Sequence, residues 1–223
     1  MTKYLVVLGA GGFAREMYWH IQGAYPGARV VFVDDVPEGE KEIAIGGKVI
    51  PVVKDWDVDA ISLDGESAGA ARFQEFVLGV GDPQTKKHLV EKARASGLKP
   101  APTVVHPLAL IQDPGCRIGV GGVITPGCVL TTNVTLGDFV LLNLNTTIGH
   151  DAVLGDYVTV NPGCQISGNV TIGEGASLGT GTVTREKVTI APGVITGAQA
   201  CIVKDIDEPN VTVMGVPAKK KKA

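Results

Sequence analysis

Residues 118–178 read IGVGGVITPGCVLTTNVTLGDFVLLNLNTTIGHDAVLGDYVTVNPGCQISGNVTIGEGASL. Stepping by six from Ile118 gives Ile124, Leu130, Leu136, Leu142, Ile148 and Leu154, and the series runs on to Ile202 with Thr184 and Thr196 as its only polar members. Four residues after each stands a small or β-branched residue, such as Cys128, Val134, Ala152 and Cys164. Between these two positions lie turn-forming pairs, among them Pro126-Gly127, Thr132-Asn133, Pro162-Gly163 and Gly168-Asn169,. A helix would bury positions three and four apart, and this density of Gly and Pro would break it. Two inward positions and a corner in six residues describe one short strand and its bend. Such units stack as a parallel β-helix, a solenoid of hexapeptides. With three flat sides, a coil takes about eighteen residues and rises about 4.8 Å. The stretch from Ile118 to about Asp207 then holds about five coils, above the roughly three repeats that stability needs.

The remaining half is of a different kind. Lys3 to Leu8 is an apolar strand, followed by Gly9-Ala-Gly-Gly-Phe-Ala14 and an amphipathic helix over Arg15 to Gln22. A second strand, Val30 to Val33, ends in Asp34-Asp35. Strand, G-x-G-x-x-A loop, helix and an acid about twenty residues on form a nucleotide-binding fingerprint. The glycines let backbone approach a phosphate, the helix N-terminus favours its charge, and the acid can meet ribose or base edges. A tight βα turn without a ligand reads from the same residues. A nicotinamide dinucleotide needs a larger domain than the stretch before the repeat allows, whereas a mononucleotide-binding, Rossmann-like α/β half-fold fits.

Asp57 to Ala71 is weakly patterned and reads as a surface loop or short helix. Phe76 to Asp82 is a strand with a glycine-rich exit. Pro83 opens a helix that runs to about Ser96, and Gly97 stops it. Val104-Val105-His106-Pro107 leads into the solenoid, which divides the chain into residues 1–105 and 106–223.

A net charge of −3 gives no argument for nucleic acid,. The opening Met-Thr-Lys-Tyr-Leu-Val-Val-Leu-Gly reads as a strand entering a loop rather than a signal peptide. No run approaches a membrane span, and the expected compartment is the cytoplasm. Cys116, Cys128, Cys164 and Cys201 contain no Cys-x-x-Cys pair and read as small core residues in a reduced compartment,.

Acyl transfer from a thioester needs a base for the acceptor and donors for the oxyanion. Of the histidines His20, His88, His106 and His150, only His150 lies in the regular repeat, at a corner with Asp151 beside it. The carboxylate can fix the ring's tautomer and raise its basicity. About one coil further on, the same corner carries Gly168. The geometry suggests His150 as general base and the Gly168 amide as oxyanion donor. The bland reading of His150 is a solvated corner side chain, and His106 beside Pro107 reads as structural. A γ-class carbonic anhydrase shares this solenoid but needs three zinc histidines, and the repeat offers one, so no metal is expected.

The hexapeptide pattern resembles that of the left-handed β-helix acyltransferases. The match sharpens over Asn143 to Asp156 and over Gly215-Val-Pro-Ala-Lys219. With the N-terminal half, the chain is similar to the sialic-acid O-acetyltransferase and nucleotide-aminosugar N-acetyltransferase group, which includes bacillosamine and perosamine N-acetyltransferases. The resemblance implies a left-handed coil, a homotrimer with active sites between subunits, acetyl-CoA as acyl donor and a nucleotide-linked amino sugar as acceptor. It assigns the nucleotide to Gly9, Gly11, Gly12, Asp34 and Asp35, and places Asn143 near the active site beside His150, Asp151 and Gly168. It places CoA along the later coils beside Gly168, with Lys204, Lys219 and the Lys220-Lys221-Lys222 tail as candidates for its phosphates; a terminal lysine run also reads as a solvated tail. Thr184 to Thr189 breaks the repeat and reads as an excursion at the groove. Phe13 departs from the histidine that several aminosugar enzymes carry there, and Thr159 stands where some members carry a second histidine. The leading expectation is N-acetylation of a nucleotide-linked amino sugar. The alternatives are O-acetylation of a sialic-acid-like sugar and a non-catalytic nucleotide-sugar-binding protein.

Overall fold

A computed structural model describes residues 2–35, 41–54, 56, 62–63, 66–67 and 73–221. In the N-terminal part, β1 (Tyr4–Leu8), α1 (Gly12–Ala24), β2 (Arg29–Val33), β3 (Glu42–Ile45), β4 (Lys48–Val53), β5 (Glu75–Leu78), α2 (Pro83–Ala95) and β6 (Lys99–Pro100) follow in order. The sheet order is β3-β4-β2-β1-β5-β6, with β3 antiparallel to β4 and the other pairs parallel. Alternation along β1 sorts the core: Leu5 and Val7 pack with α1, while Val6 and Leu8 pack with Val90 and Ala93 of α2,. The two helices therefore cover opposite faces, the expected half-fold. Apart from a short hairpin pairing Ser62–Leu63 with Glu66–Ser67, the stretch 57–71 lies outside the described residues.

The solenoid follows the six-residue phase. Two-residue strands stack in three parallel sheets, two of which run from Leu110–Ile111 to Cys201–Ile202 and from Arg117–Ile118 to Thr189–Ile190. The third runs from Val104–Val105 to Thr212–Met214, with Lys219–Lys220 added antiparallel. Both inward positions are filled as their pattern predicts: Leu142, Ile148, Cys128, Ala152 and Cys164 are fully buried. The coil begins earlier than Ile118, because Leu110–Ile111 already pairs with Val129–Leu130. The six-step loses phase there because the Asp113-Pro114-Gly115 corner carries one extra residue. Thr184 and Thr196 keep their inward places by accepting from the backbone of the preceding coil, Ser167 N–H to Thr184 Oγ1 at 3.0 Å and Gly179 N–H to Thr196 Oγ1 at 2.8 Å. Strands Val183–Thr184 and Thr189–Ile190 are both regular, so the expected excursion between them is absent.

The two parts are locked together. Phe139 stacks between Phe76 of β5 and Tyr157 of the next coil, with centroids 6.2 and 5.0 Å apart. Lys86 of α2 is buried and donates to Phe139 O at 2.9 Å and Val158 O at 3.2 Å. Thr159 Oγ1 donates to Gly81 O at 2.6 Å. Among the described residues no helix is long and apolar enough to cross a membrane.

Candidate active site

His150 and Asp151 form one corner of the solenoid, between strands Thr147–Ile148 and Val153–Leu154. Asp151 turns the chain at φ +59°, a left-handed conformation that Asp tolerates because its short side chain can bond locally. That turn brings the two side chains together: His150 Nδ1 lies 2.8 Å from Asp151 Oδ2. The second carboxylate oxygen accepts Asn133 Nδ2–H at 2.7 Å. Bonds from Asn133 and then from His150 hold the Asp151 carboxyl below its ordinary range, so it remains a carboxylate that accepts the Nδ1 proton. Nε2 is then the basic nitrogen. Its ring is exposed to solvent and rests on Gly168, where a β-carbon would fall 2.4 Å from Nε2. Among the described residues the Gly168 N–H donates to no partner. Asn143 lies at the opposite edge of the same face, before Thr147–Ile148, and its Oδ1 accepts the Leu144 N–H at 2.8 Å.

A cavity of about 490 Å³ opens at the C-terminal edge of the N-terminal sheet and is lined by Gly9, Asp34, Asp35, Trp56, Thr85 and His88 among others. Gly9 is needed there: φ is +102° and a β-carbon would meet Val80 at 2.9 Å. Gly11 and Gly12 face open space, and α1 follows its N-cap Gly11 with no side-chain cap bond and no acid in its first turn. Its leading N–H groups and dipole are thus unopposed by any nearby carboxylate of the helix. The two aspartates have different local duties. Asp34 Oδ2 accepts the Ala10 N–H at 2.8 Å, which fixes the glycine loop. Asp35 is ion-paired with Lys92 and accepts Trp56 Nε1–H at 2.7 Å. Burial pushes the Asp35 carboxyl up, but these bonds and the Lys92 charge outweigh it and hold the group below its ordinary range. Phe13 is half-buried against the core under α1.

At the far end of the solenoid, Lys204 and Lys219 line one cavity of about 330 Å³ together with Ile202, Asp205, Ile206 and Pro217. Lys220 is instead paired with Glu208, at 2.7 and 2.8 Å to its two oxygens. Lys222 lies outside the described residues. Among the described residues no group of three His, Cys, Asp or Glu side chains stands together to hold a metal.

The family described as Bacterial transferase hexapeptide (six repeats) matches residues 151–186, and that described as PglD N-terminal domain matches residues 4–93. The acetyltransferase domain of PglB from Neisseria gonorrhoeae is 32% identical, with a TM-score of 0.81 over 99% of this chain and 100% of that one. The chain belongs to the hexapeptide-repeat sugar acyltransferase family. PerB from Caulobacter crescentus, solved with CoA and GDP-perosamine, is 28% identical to this acyltransferase, with a TM-score of 0.84 over 100% of this chain and 99% of that one. WeeI from Acinetobacter baumannii is 28% identical, with a TM-score of 0.83 over 99% and 100%. No curated protein sequence matches.

Two features of the acyltransferase escape a reading of its sequence. Thr159 is buried at the joint between the two parts and bonds Gly81, as a strut between them. Gly168 is needed sterically, because the His150 ring occupies the place of its side chain. The first has no periodic signal. The second is readable only as a glycine one coil from a histidine.

Proposed function

We propose that this acyltransferase moves an acetyl group from acetyl-CoA to the amine of a nucleotide-linked amino sugar, by direct transfer with His150 as general base. The observation that carries the reading is the 2.8 Å His150–Asp151 contact, which favours a proton on Nδ1 and leaves Nε2 to take one, over the longer 3.4 Å approach of Asn169 Nδ2 to the same Nδ1. Nε2 accepts the proton of the attacking amine, the amine nitrogen bonds the thioester carbon, and the carbon–sulfur bond breaks. The thiolate leaves and is protonated to CoA. The Gly168 N–H stabilises the oxyanion of the tetrahedral intermediate. The α1 N-terminus, which no side chain caps, takes the nucleotide's phosphates together with Gly9, Gly11 and Gly12, and Asp35 takes its base edge or ribose,. Asp34 acts by holding the loop, Phe13 lies toward the sugar, and Asn143 belongs to the acyl site. Lys204 and Lys219 meet the CoA phosphates. The binding of CoA and GDP-perosamine by PerB supports both substrate classes. The same reading has residues 1–105 as the sugar-nucleotide domain, residues 106–223 as the transferase domain, and a cytoplasmic homotrimer as the working form.

The test is CoA release from acetyl-CoA against UDP-, GDP- and dTDP-linked 4-amino-6-deoxy sugars, with free sialic acid alongside. Turnover of one nucleotide-linked amino sugar is expected, and His150→Ala is expected to lower kcat by about 10²–10⁴. Turnover of sialic acid alone would replace N-acetylation by O-acetylation, the alternative that Phe13 leaves open. Full activity in His150→Ala would remove the general base.

A further inference from the structure

His150 stands in a row of corners that carries, one coil after another, Asp113, Asn133, Asp151 and Asn169; the last three take the left-handed turn, whereas Asp113 holds the place of Thr132 and His150. The first three are tied together. Asp113 Oδ1 accepts the Gly115 N–H at 2.7 Å, and its Oδ2 accepts the Asn133 N–H at 2.8 Å. Asn133 Nδ2 donates to Asp151 Oδ1 at 2.7 Å, and Asp151 Oδ2 lies 2.8 Å from His150 Nδ1. The Asp151 carboxylate is thus held at both oxygens, by an amide one coil back on one side and by the imidazole on the other.

We infer that Asn133 is a positioning residue for acyl transfer: its side-chain amide fixes the Asp151 carboxylate in the orientation that accepts the His150 Nδ1–H and leaves Nε2 unprotonated. The inference rests on the reading of His150 as general base.

An aspartate on an exposed corner is free to turn its carboxylate into water, and an exposed contact with one partner does little to prevent it. A second bond, to an anchored donor, removes that freedom. Asn133 is itself anchored, since the extra-residue corner at Asp113 holds its backbone. The partner must be a neutral donor, because a carboxylate at 133 would lie against that of Asp151 and repel it. Bonds from Gly115 and then from Asn133 keep the Asp113 carboxyl below its ordinary range, so the base of the row stays an acceptor.

A bland account is available. Asn133, Asp151 and Asn169 have φ of +54°, +59° and +58°, and Asn and Asp are simply the side chains that tolerate such turns. That account explains the residue type but says nothing of where the amide donates. It also makes a contrary forecast: glycine at 133 keeps the turn and would be harmless.

The experiment therefore uses Asn133→Gly, which keeps the backbone and removes the donor, and Asn133→Asp, which keeps a turn-forming side chain of the same shape without a donor. In ¹⁵N-histidine-labelled protein, His150 is identified by its loss in His150→Gln, and its tautomer is read in alkaline buffer. The wild type is expected to hold the Nδ1–H form. Both variants are expected to shift the ring toward the Nε2–H form, and Asp151→Asn is expected to shift it further. Asn133→Gly placed on Asp151→Asn is expected to add nothing. In turnover, Asn133→Gly is expected to lower kcat about tenfold, a part of what a general base contributes, with KM for acetyl-CoA unchanged. An unchanged tautomer in Asn133→Gly, or an equal shift with and without Asp151, would overturn the proposal. A shifted tautomer in a protein that turns over no acceptor would uphold the positioning and sink the general-base reading instead.

Discussion

Gly168 lies directly beneath the imidazole of His150: a β-carbon on it would fall 2.4 Å from Nε2 and 2.6 Å from Cε1. The backbone at 168 does not have a positive φ, so the chain itself would accept alanine, and only the exposed ring must move. Gly168→Ala is therefore expected to displace the His150 ring, the proposed base, without unfolding the coil. A displacement near 1 Å can cost up to about a hundredfold in rate, and kcat is expected to fall by that order. The melting temperature should stay within about 2 °C of wild type, as for a surface substitution. Wild-type kcat in Gly168→Ala would show that the ring's place on the glycine does not matter.

Lys86 supplies a test of the joint between the two parts. Burial holds its ammonium pKa down to about 7, with Asp82 pulling the other way. Between about 7 and the ordinary 10.5 the unfolded chain then binds more protons than the folded one. Stability conferred at this site therefore rises with pH through that window, by up to about 1.4 kcal/mol per unit. Lys86→Met removes the slope and leaves Phe139 O without its donor, whereas Val158 O keeps the Leu141 N–H. The loss at Phe139 costs about 1–3 kcal/mol. The prediction is that the stability of wild type minus that of Lys86→Met grows as pH is raised from 7 to about 9, measured by urea unfolding. A flat difference would mean that the buried amine does not change its charge.

The solenoid was legible because its two inward positions repeat every six residues and nothing else satisfies that spacing. The reading slipped where the physics is local. One added residue at Asp113-Pro114-Gly115 hid the first coil, and Thr184 looked like the start of an excursion although a backbone donor satisfies its hydroxyl. The joint was not legible at all. Lys86 and Thr159 face partners distant in sequence, 53 and 78 residues away, and no period marks them. One signal was available in retrospect: Phe139 and Tyr157 are the aromatic residues at positive-φ corner positions of the solenoid that elsewhere carry Gly, Asn, Asp, Lys187 or Gln199. A large aromatic residue at a corner marks a corner that something covers. At the candidate site, His150 and Asp151 could be paired from sequence because they are adjacent, whereas Asn133 could not, because its amide could as well have faced water.

Thr159 tests whether the strut is only structural. Its hydroxyl is buried and donates to Gly81 O at 2.6 Å. Thr159→Val keeps the shape and leaves that carbonyl unpaired, which costs about 1–3 kcal/mol. Chemical denaturation should show the loss while kcat and both KM values stay at wild-type level. A fall in kcat without a fall in stability would return Thr159 to the reaction.

Lys204 and Lys219 share a cavity, whereas Lys220 is occupied by Glu208. Alanine at 204 or 219 is expected to raise KM for acetyl-CoA about fivefold, the worth of roughly 1 kcal/mol for one exposed phosphate contact, with kcat unchanged. Lys220→Ala should leave KM where it is. The reverse pattern would move the CoA phosphates from the cavity to the tail.

His20 makes the joint sensitive to acid. Its ring is 7% exposed, lies edge-on to His106 with centroids 5.9 Å apart, and its Nε2 has no partner among the described residues. Burial first, and His106 second, hold its pKa down to about 4, against an ordinary 6.5. Within that window the unfolded chain binds the extra proton, so stability falls as pH drops from about 6.5 toward 4 and is unaffected above it. Many carboxylates also titrate below pH 5, so the telling quantity is a difference between proteins. The melting temperature of His20→Leu minus that of wild type is expected to rise steadily as pH is lowered from about 6.5 to 4.5, a range in which a neutral side chain binds no proton. A difference that does not change with pH would show that His20 stays out of acid unfolding and that the α1–solenoid contact is insensitive to its charge.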